Sequence, residues 1–183
     1  MLDEKTVQVL RYLNKIKVFF LLIFISGRVT MVAVTSISGD FLDGLLDYMA
    51  QLNSTYGSRS DILIAFLIEP YISTYLDKSQ GGAYPHPASS TPLFPIGIQL
   101  GWILPSEDGL FLNQLETSRK TILQLALNDG QKVGGAKQIL YPNFAPENTP
   151  LSRMYGNNVA KLQKIRKDWD PNNVMYLTGG FKF

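Results

Sequence analysis

The chain contains no cysteine, which excludes a disulfide framework, a thiolate metal site and a cysteine nucleophile together. It has a single histidine, His86, so a serine-type triad or a histidine-rich metal centre would rest on one side chain. Pro85 and Pro87 flank it and place it in a loop, where it reads as an ordinary surface residue. Charge is scarce: 17% of the 183 residues are charged, and the net charge is +2. No partner follows from that balance. Lys161, Lys164, Arg166 and Lys167 cluster, but at helical spacing they read as a solvated face rather than a nucleic-acid patch. The apolar run at residues 18–25 (VFFLLIFI) is too short to span a bilayer as a helix. Asp3 and Glu4 precede it and Gly27-Arg28 follows it, which is not the layout of a secretory signal. The compartment is therefore cytoplasmic only by default, and the Asn53-Ser54-Thr55 sequon matters only in a secreted chain. No glycine-rich loop leads into a helix, so the usual backbone cradle for phosphates is missing too.

An apolar fraction of 45% with 11% aromatics is enough for one domain with a real core. Residues 4–16 are weakly amphipathic and predict a short helix, and residues 18–25 a buried strand. These belong to an N-terminal arm, residues 1–28, or to an interior stretch at which a re-started gene now begins. Residues 29–36 (VTMVAVTS) are rich in β-branched side chains and predict a strand. Ser38-Gly39-Asp40 supplies a turn and cap for a helix over 41–52, with Phe41, Leu42, Leu45, Leu46 and Met49 as its core stripe. A polar loop follows over 53–61. Residues 62–68 (ILIAFLI) predict a central strand covered on both faces. The stretch 78–95 is rich in proline and reads as a long loop. In 96–102, Ile96, Ile98, Leu100 and Trp102 alternate with Gly97, Gln99 and Gly101, giving a strand with one greasy and one nearly bare face. Residues 108–128 form the longest expected helix, stopped by Gly130. Residues 138–144 predict an edge or bulged strand around Pro142. A last helix over 157–167 turns Val159, Leu162, Ile165 and Trp169 inward. The fold class is α+β, with helices over a mostly antiparallel sheet.

From Val29 to Phe183 the order of small motifs resembles the C-terminal part of berberine-bridge-enzyme-like FAD-linked oxidoreductases, especially the fungal type. The pieces are Glu69-Pro70, Gly81-Gly82, Trp102 closing a strand with Asp108 after it, and a long helix ending in glycine. Tyr141, Asn143, Phe144 and Ala145 follow, then Tyr155-Gly156, Leu162, Ile165, Asp170-Pro171 and Gly179-Gly180-Phe181-Lys182. The resemblance implies that residues 29–183 form the substrate domain of a vanillyl-alcohol-oxidase-type fold, with 138–183 as its most family-like segment and the N-terminal flavin domain absent. It implies FAD as cofactor and a small natural-product intermediate as substrate. Asn143 becomes the flavin-edge residue, since an amide can both donate and accept at a polar ring. Tyr141 becomes a catalytic proton donor or a support for a substrate ring. Gln99, Trp102 and Phe144 become substrate-binding residues. Apart from the resemblance, Glu69, next to Pro70 at the end of an apolar strand, is a second catalytic candidate, as a donor in a cofactor-free reaction.

Departures from the family accompany the matches. Bicovalent flavin attachment is impossible without cysteine. Phe144 stands where the cannabinoid-synthase branch has a tyrosine base, and residues 96–102 hold no acid where plant members can carry one. Three readings follow: an oxidoreductase-like protein of fungal secondary metabolism truncated to its substrate-binding part and inactive alone; a cofactor-free cyclase or isomerase using the same pocket, which positioning alone can accelerate; or a non-catalytic subunit partnering a flavin domain or full-length relative. No reading involves nucleic acid or a membrane span.

Overall fold

A computed structural model describes residues 26–57, 63–70, 82–85, 94–134 and 138–183. The expected helix over 4–16, the strand over 18–25, His86 and most of the 78–95 loop lie outside the described residues. Among the described residues three strands, β1 (Ser26–Val34), β2 (Leu63–Ile68) and β3 (Phe94–Trp102), form one antiparallel sheet in the order β1-β3-β2. The register pairs Met31 with Gly97 and Val29 with Gln99 on one side of β3, and Leu67 with Gly97 and Ala65 with Gln99 on the other. The fold is α+β, as the alternation of elements predicts. Among the described residues no helix is long and apolar enough to cross a membrane.

The first helix, α1 (Gly39–Tyr56), starts where Ser38 caps it: the Phe41 N–H donates to Ser38 Oγ at 3.0 Å. It runs past Leu52 through Tyr56, so the sequon forms its last turn rather than a loop. Tyr56 supplies the reason, because its ring meets Phe111 at 5.8 Å and its hydroxyl donates to Gln114 at 2.9 Å. The long helix α2 (Asp108–Asn128) keeps the predicted limits, and the chain leaves it through Gly130 at φ 80°, a left-handed turn that suits glycine. Together α1 and α2 cover one sheet face. Ile96, Ile98, Leu100 and Trp102 of β3 are buried beneath them with Phe41, Leu45, Phe111 and Ile122. A polar thread runs through this layer: Gln114 Nε2 donates to Tyr48 Oη at 3.1 Å, and Tyr48 Oη lies 3.0 Å from Ser118 Oγ. Buried hydroxyls without such partners would cost stability.

Gln131 closes the opposite end of the helix pair. Its Oε1 accepts from Thr35 N at 2.9 Å and Ser36 N at 3.2 Å, while its Nε2 donates to Asp129 Oδ2 at 2.9 Å. Ser38 Oγ donates to Asp129 Oδ1 at 2.7 Å. The Ser38 hydroxyl, then the Gln131 amide, hold the Asp129 carboxyl below the usual aspartate range. A depressed native pKa adds stability that is complete above the unfolded value, about 3.9, and is lost as pH falls through the native one. Asp129→Asn is therefore expected to flatten the acid limb of stability. Urea midpoints at pH 7 and pH 3 should lie closer together in the variant than in the parent.

Three expectations are corrected. β2 is an edge strand among the described residues, with Leu63 and Ile68 exposed. A continuous apolar run does not reveal strand order. Residues 138–144 form no strand. Pro142 opens a short 3-10 turn, Pro142–Phe144, where Phe144 N donates to Tyr141 O at 3.1 Å, since proline lacks the N–H a ladder needs. Finally, α4 (Val159–Trp169) packs on the preceding short helix α3 (Leu151–Tyr155) and the turn between them, not on the sheet. Ile165 is accordingly exposed, and Trp169 is 85% exposed. Beyond it, the Asp170 carboxylate accepts from Val174 N at 2.7 Å and Met175 N at 3.0 Å, fixing the turn Val174–Leu177.

Candidate functional site

Strand alternation sends Gly97, Gln99 and Gly101 to the face opposite the helices. At Gly97 the reason for glycine is visible. A Cβ there would lie 3.1 Å from Phe144 Cδ2 and Cε2 and 3.2 Å from Leu67 Cβ. The Phe144 ring therefore rests directly on the bared strand. Tyr141 stands edge-on to Phe144, centroids 5.6 Å apart and planes at 83°, and edge-on to Tyr84 at 5.9 Å and 71°. Its backbone N–H points to Met31 Sδ at 3.1 Å, tying the turn to β1. Three aromatic rings and a thioether thus build a wall on this face. Burial, and then the neighbouring Tyr141, push the Tyr84 phenol above its usual pKa, so it stays a neutral donor.

Polar function on the wall comes from amides. Asn143 is exposed and donates Nδ2–H to Tyr141 Oη at 2.8 Å. That bond polarises the phenol and strengthens it as a donor. Gln99 sits half-buried at the centre of β3, between Val29 and Ala65. Four of the expected site residues fall on one side of the sheet: Gln99, Tyr141, Asn143 and Phe144. Glu69 lies one residue beyond β2, with its N–H donated to Pro95 O at 3.2 Å, at the margin of the same sheet. Trp102 is not brought to this group. It is 2% exposed on the helix face, stacked on Phe111 at 5.2 Å, with its indole N–H donated to Asp108 Oδ1 at 2.6 Å. The Trp and the acid six residues later are thus bonded to each other. Sequence reasoning did not find Tyr84 or Met31. Tyr84 sits in a proline-rich stretch without periodicity, and Met31 reads as one more strand residue.

Residues 140–180 match the family described as Berberine and berberine like. Comparison with curated proteins and with solved structures found no match. The match covers the Tyr141–Phe144 turn, α3, α4 and the tail, and that family is FAD-linked in general. A diphosphate is not accommodated by the described residues. The α1 entrance carries Asp40 and the Ser38–Asp129 pair, and the α2 entrance carries Glu107 and Asp108; these acids repel phosphate where helix N–H groups would otherwise attract it. At the α4 entrance, Asn158 Nδ2 is bound to Gly82 O and Ala83 O at 3.1 and 3.0 Å, so carbonyl oxygens crowd that end. No flavin-dependent step follows from these residues alone. No cluster of metal-ligating side chains occurs among them either.

Proposed function

We propose that this chain serves as the substrate-side part of an FAD-linked oxidoreductase of fungal secondary metabolism, with the flavin's phosphates gripped elsewhere. Residues 29–183 act in it as the substrate domain, and the wall of Tyr141, Asn143 and Phe144 over Gly97 receives a planar intermediate. Gln99 orients it through its amide, Asn143 meets the edge of the flavin ring beside it, and Tyr141 supplies a proton or an edge-on ring contact. The observation that carries this reading is the coincidence of two facts. The family-like segment begins at residue 140, and its first turn is the one seated on the glycine of β3. Exposed Trp169, Met175 and Leu177 support coverage of the tail by a flavin-bearing domain or relative, since apolar surface of that kind marks contacts.

Titration with FAD and with lumiflavin, the same ring without a diphosphate, tests the proposal. Both should quench with similar, weak affinity, because the ring alone is recognised. FAD binding about a hundredfold tighter than lumiflavin, on the order of 2.7 kcal/mol, would reveal a phosphate grip within this chain and contradict the division of labour.

A further inference from the structure

A second concavity lies along the outer edge of β1, between that strand, α2 and the segment leading into α3. Its inner part has a volume of about 370 Å³ and is lined by Thr30, Glu116, Arg119, Asn148 and Arg153 among others. Arg153 is held from three sides. Its Nε donates to Gln138 O at 3.1 Å, its backbone N–H donates to Pro150 O at 2.8 Å, and its carbonyl accepts from Leu140 N at 2.7 Å. Its terminal amino groups have no hydrogen-bond partner, and no carboxylate pairs with it, among the described residues. The acid on the wall is already engaged: Arg119 grips Glu116 in a bidentate pair at 2.8 and 2.8 Å, and Lys120 stands 3.6 Å away. Arg119 engages Glu116, and the adjoining outer part of the groove carries one charge of each sign, Arg28 and Glu147, which leaves the Arg153 charge without a carboxylate partner among the described residues.

An outer part of about 540 Å³ adjoins this one and shares Thr30, Glu116, Pro146 and Asn148 with it. Its walls include Leu112, Leu115, Val29 and Phe181. The groove therefore joins a guanidinium fork to a trough with an apolar floor and a charged rim of Arg28 and Glu147, and each part is of a size that holds a small organic molecule. A planar fork of this kind matches a carboxylate in two parallel hydrogen bonds.

We propose that this groove binds a small-molecule carboxylate, its head on Arg153 and its apolar tail along β1 toward Leu112 and Phe181. The groove opens at the edge of β1 beside the Phe144 face, with Met31 common to both, and the proposal does not depend on the oxidoreductase reading. Hexanoate and octanoate are the probes, with 1-hexanol as the uncharged control, followed on the full chain by calorimetry and by amide shifts.

Hexanoate should shift Leu140, Asn148 and Arg153, and each added methylene should tighten binding roughly fourfold while the trough fills. Hexanol should leave those resonances in place. Arg153→Gln should weaken hexanoate about tenfold or more. Glu116→Gln should act in the opposite direction, strengthening binding by about threefold, because it removes a like charge and releases the Arg119 fork. If circular dichroism shows Arg153→Gln to be unfolded, the Glu116→Gln variant and the alcohol control decide alone. Equal response to hexanoate and hexanol, unchanged affinity in Glu116→Gln, or shifts confined to the Phe144 face would each overturn the proposal.

Discussion

Gly97→Val is expected to cost about 3 kcal/mol of stability, the upper end of what overpacking usually costs, and to unseat the Phe144 ring. Its Cβ would sit 3.1 Å from two Phe144 ring atoms and 3.2 Å from Leu67 Cβ. Leu67 is a strand residue paired in register with Gly97, so it cannot retreat without breaking the ladder. Phe144 sits on a 3-10 turn outside the ladder and is held by ring contacts, and it is the partner that moves. Two measurements report this. Urea unfolding gives the loss of stability, and lumiflavin quenching gives loss of the wall. Gly109→Ala is the control, because nothing lies within 4 Å of a Cβ there. It should be neutral or mildly stabilising, as alanine favours a helix over glycine. If Gly97→Val unfolds no more easily than Gly109→Ala, Phe144 does not occupy the bared strand.

Phe111→Ala should destabilise the chain by about 3–5 kcal/mol, the range for removing a fully buried phenyl ring. Phe111 is completely buried. It stacks on Trp102 at 5.2 Å and meets Tyr56 at 5.8 Å, so one truncation empties the junction of β3, α1 and α2. The Trp102 indole then loses its stacking partner but keeps its bond to Asp108. Thermal unfolding gives the magnitude. A red shift of the buried tryptophan's emission gives the location, against the constant background of exposed Trp169. Conventional surface behaviour, with a change below about 0.5 kcal/mol, would mean that Phe111 is not in the core.

The elements that sequence reasoning located are those whose signal is local and periodic. Helix α2 has its apolar stripe and its stop glycine within its own span, and α1 has its cap at Ser38. β3 carries its two faces in plain alternation. That same alternation separates Gln99 from Trp102, whose positions differ by an odd number, so one pocket could not hold both side chains. What a strand does not encode is which face helices will cover and which a ligand will use. Here Phe111 and its neighbours claim the Trp102 side.

The 138–144 segment misled because Ile139, Tyr141 and Phe144 are β-forming residue types. Its backbone partners, Arg153 O and Met31 Sδ, come from distant parts of the chain. The inward face expected of α4 was a sound reading of periodicity. The apolar stripe exists, but no described element covers Trp169. The Arg153 groove was invisible for a simpler reason: four separate segments, β1, α2, the stretch leading into α3 and the tail at Phe181, supply its walls.

The most direct test of the wall over Gly97 is amide and side-chain shift mapping with lumiflavin. Perturbations centred on the Asn143 and Gln99 side-chain amides and on Tyr141, with the Trp102 indole N–H unmoved, are expected. Shifts at the Trp102 indole, or none at Asn143, would contradict it.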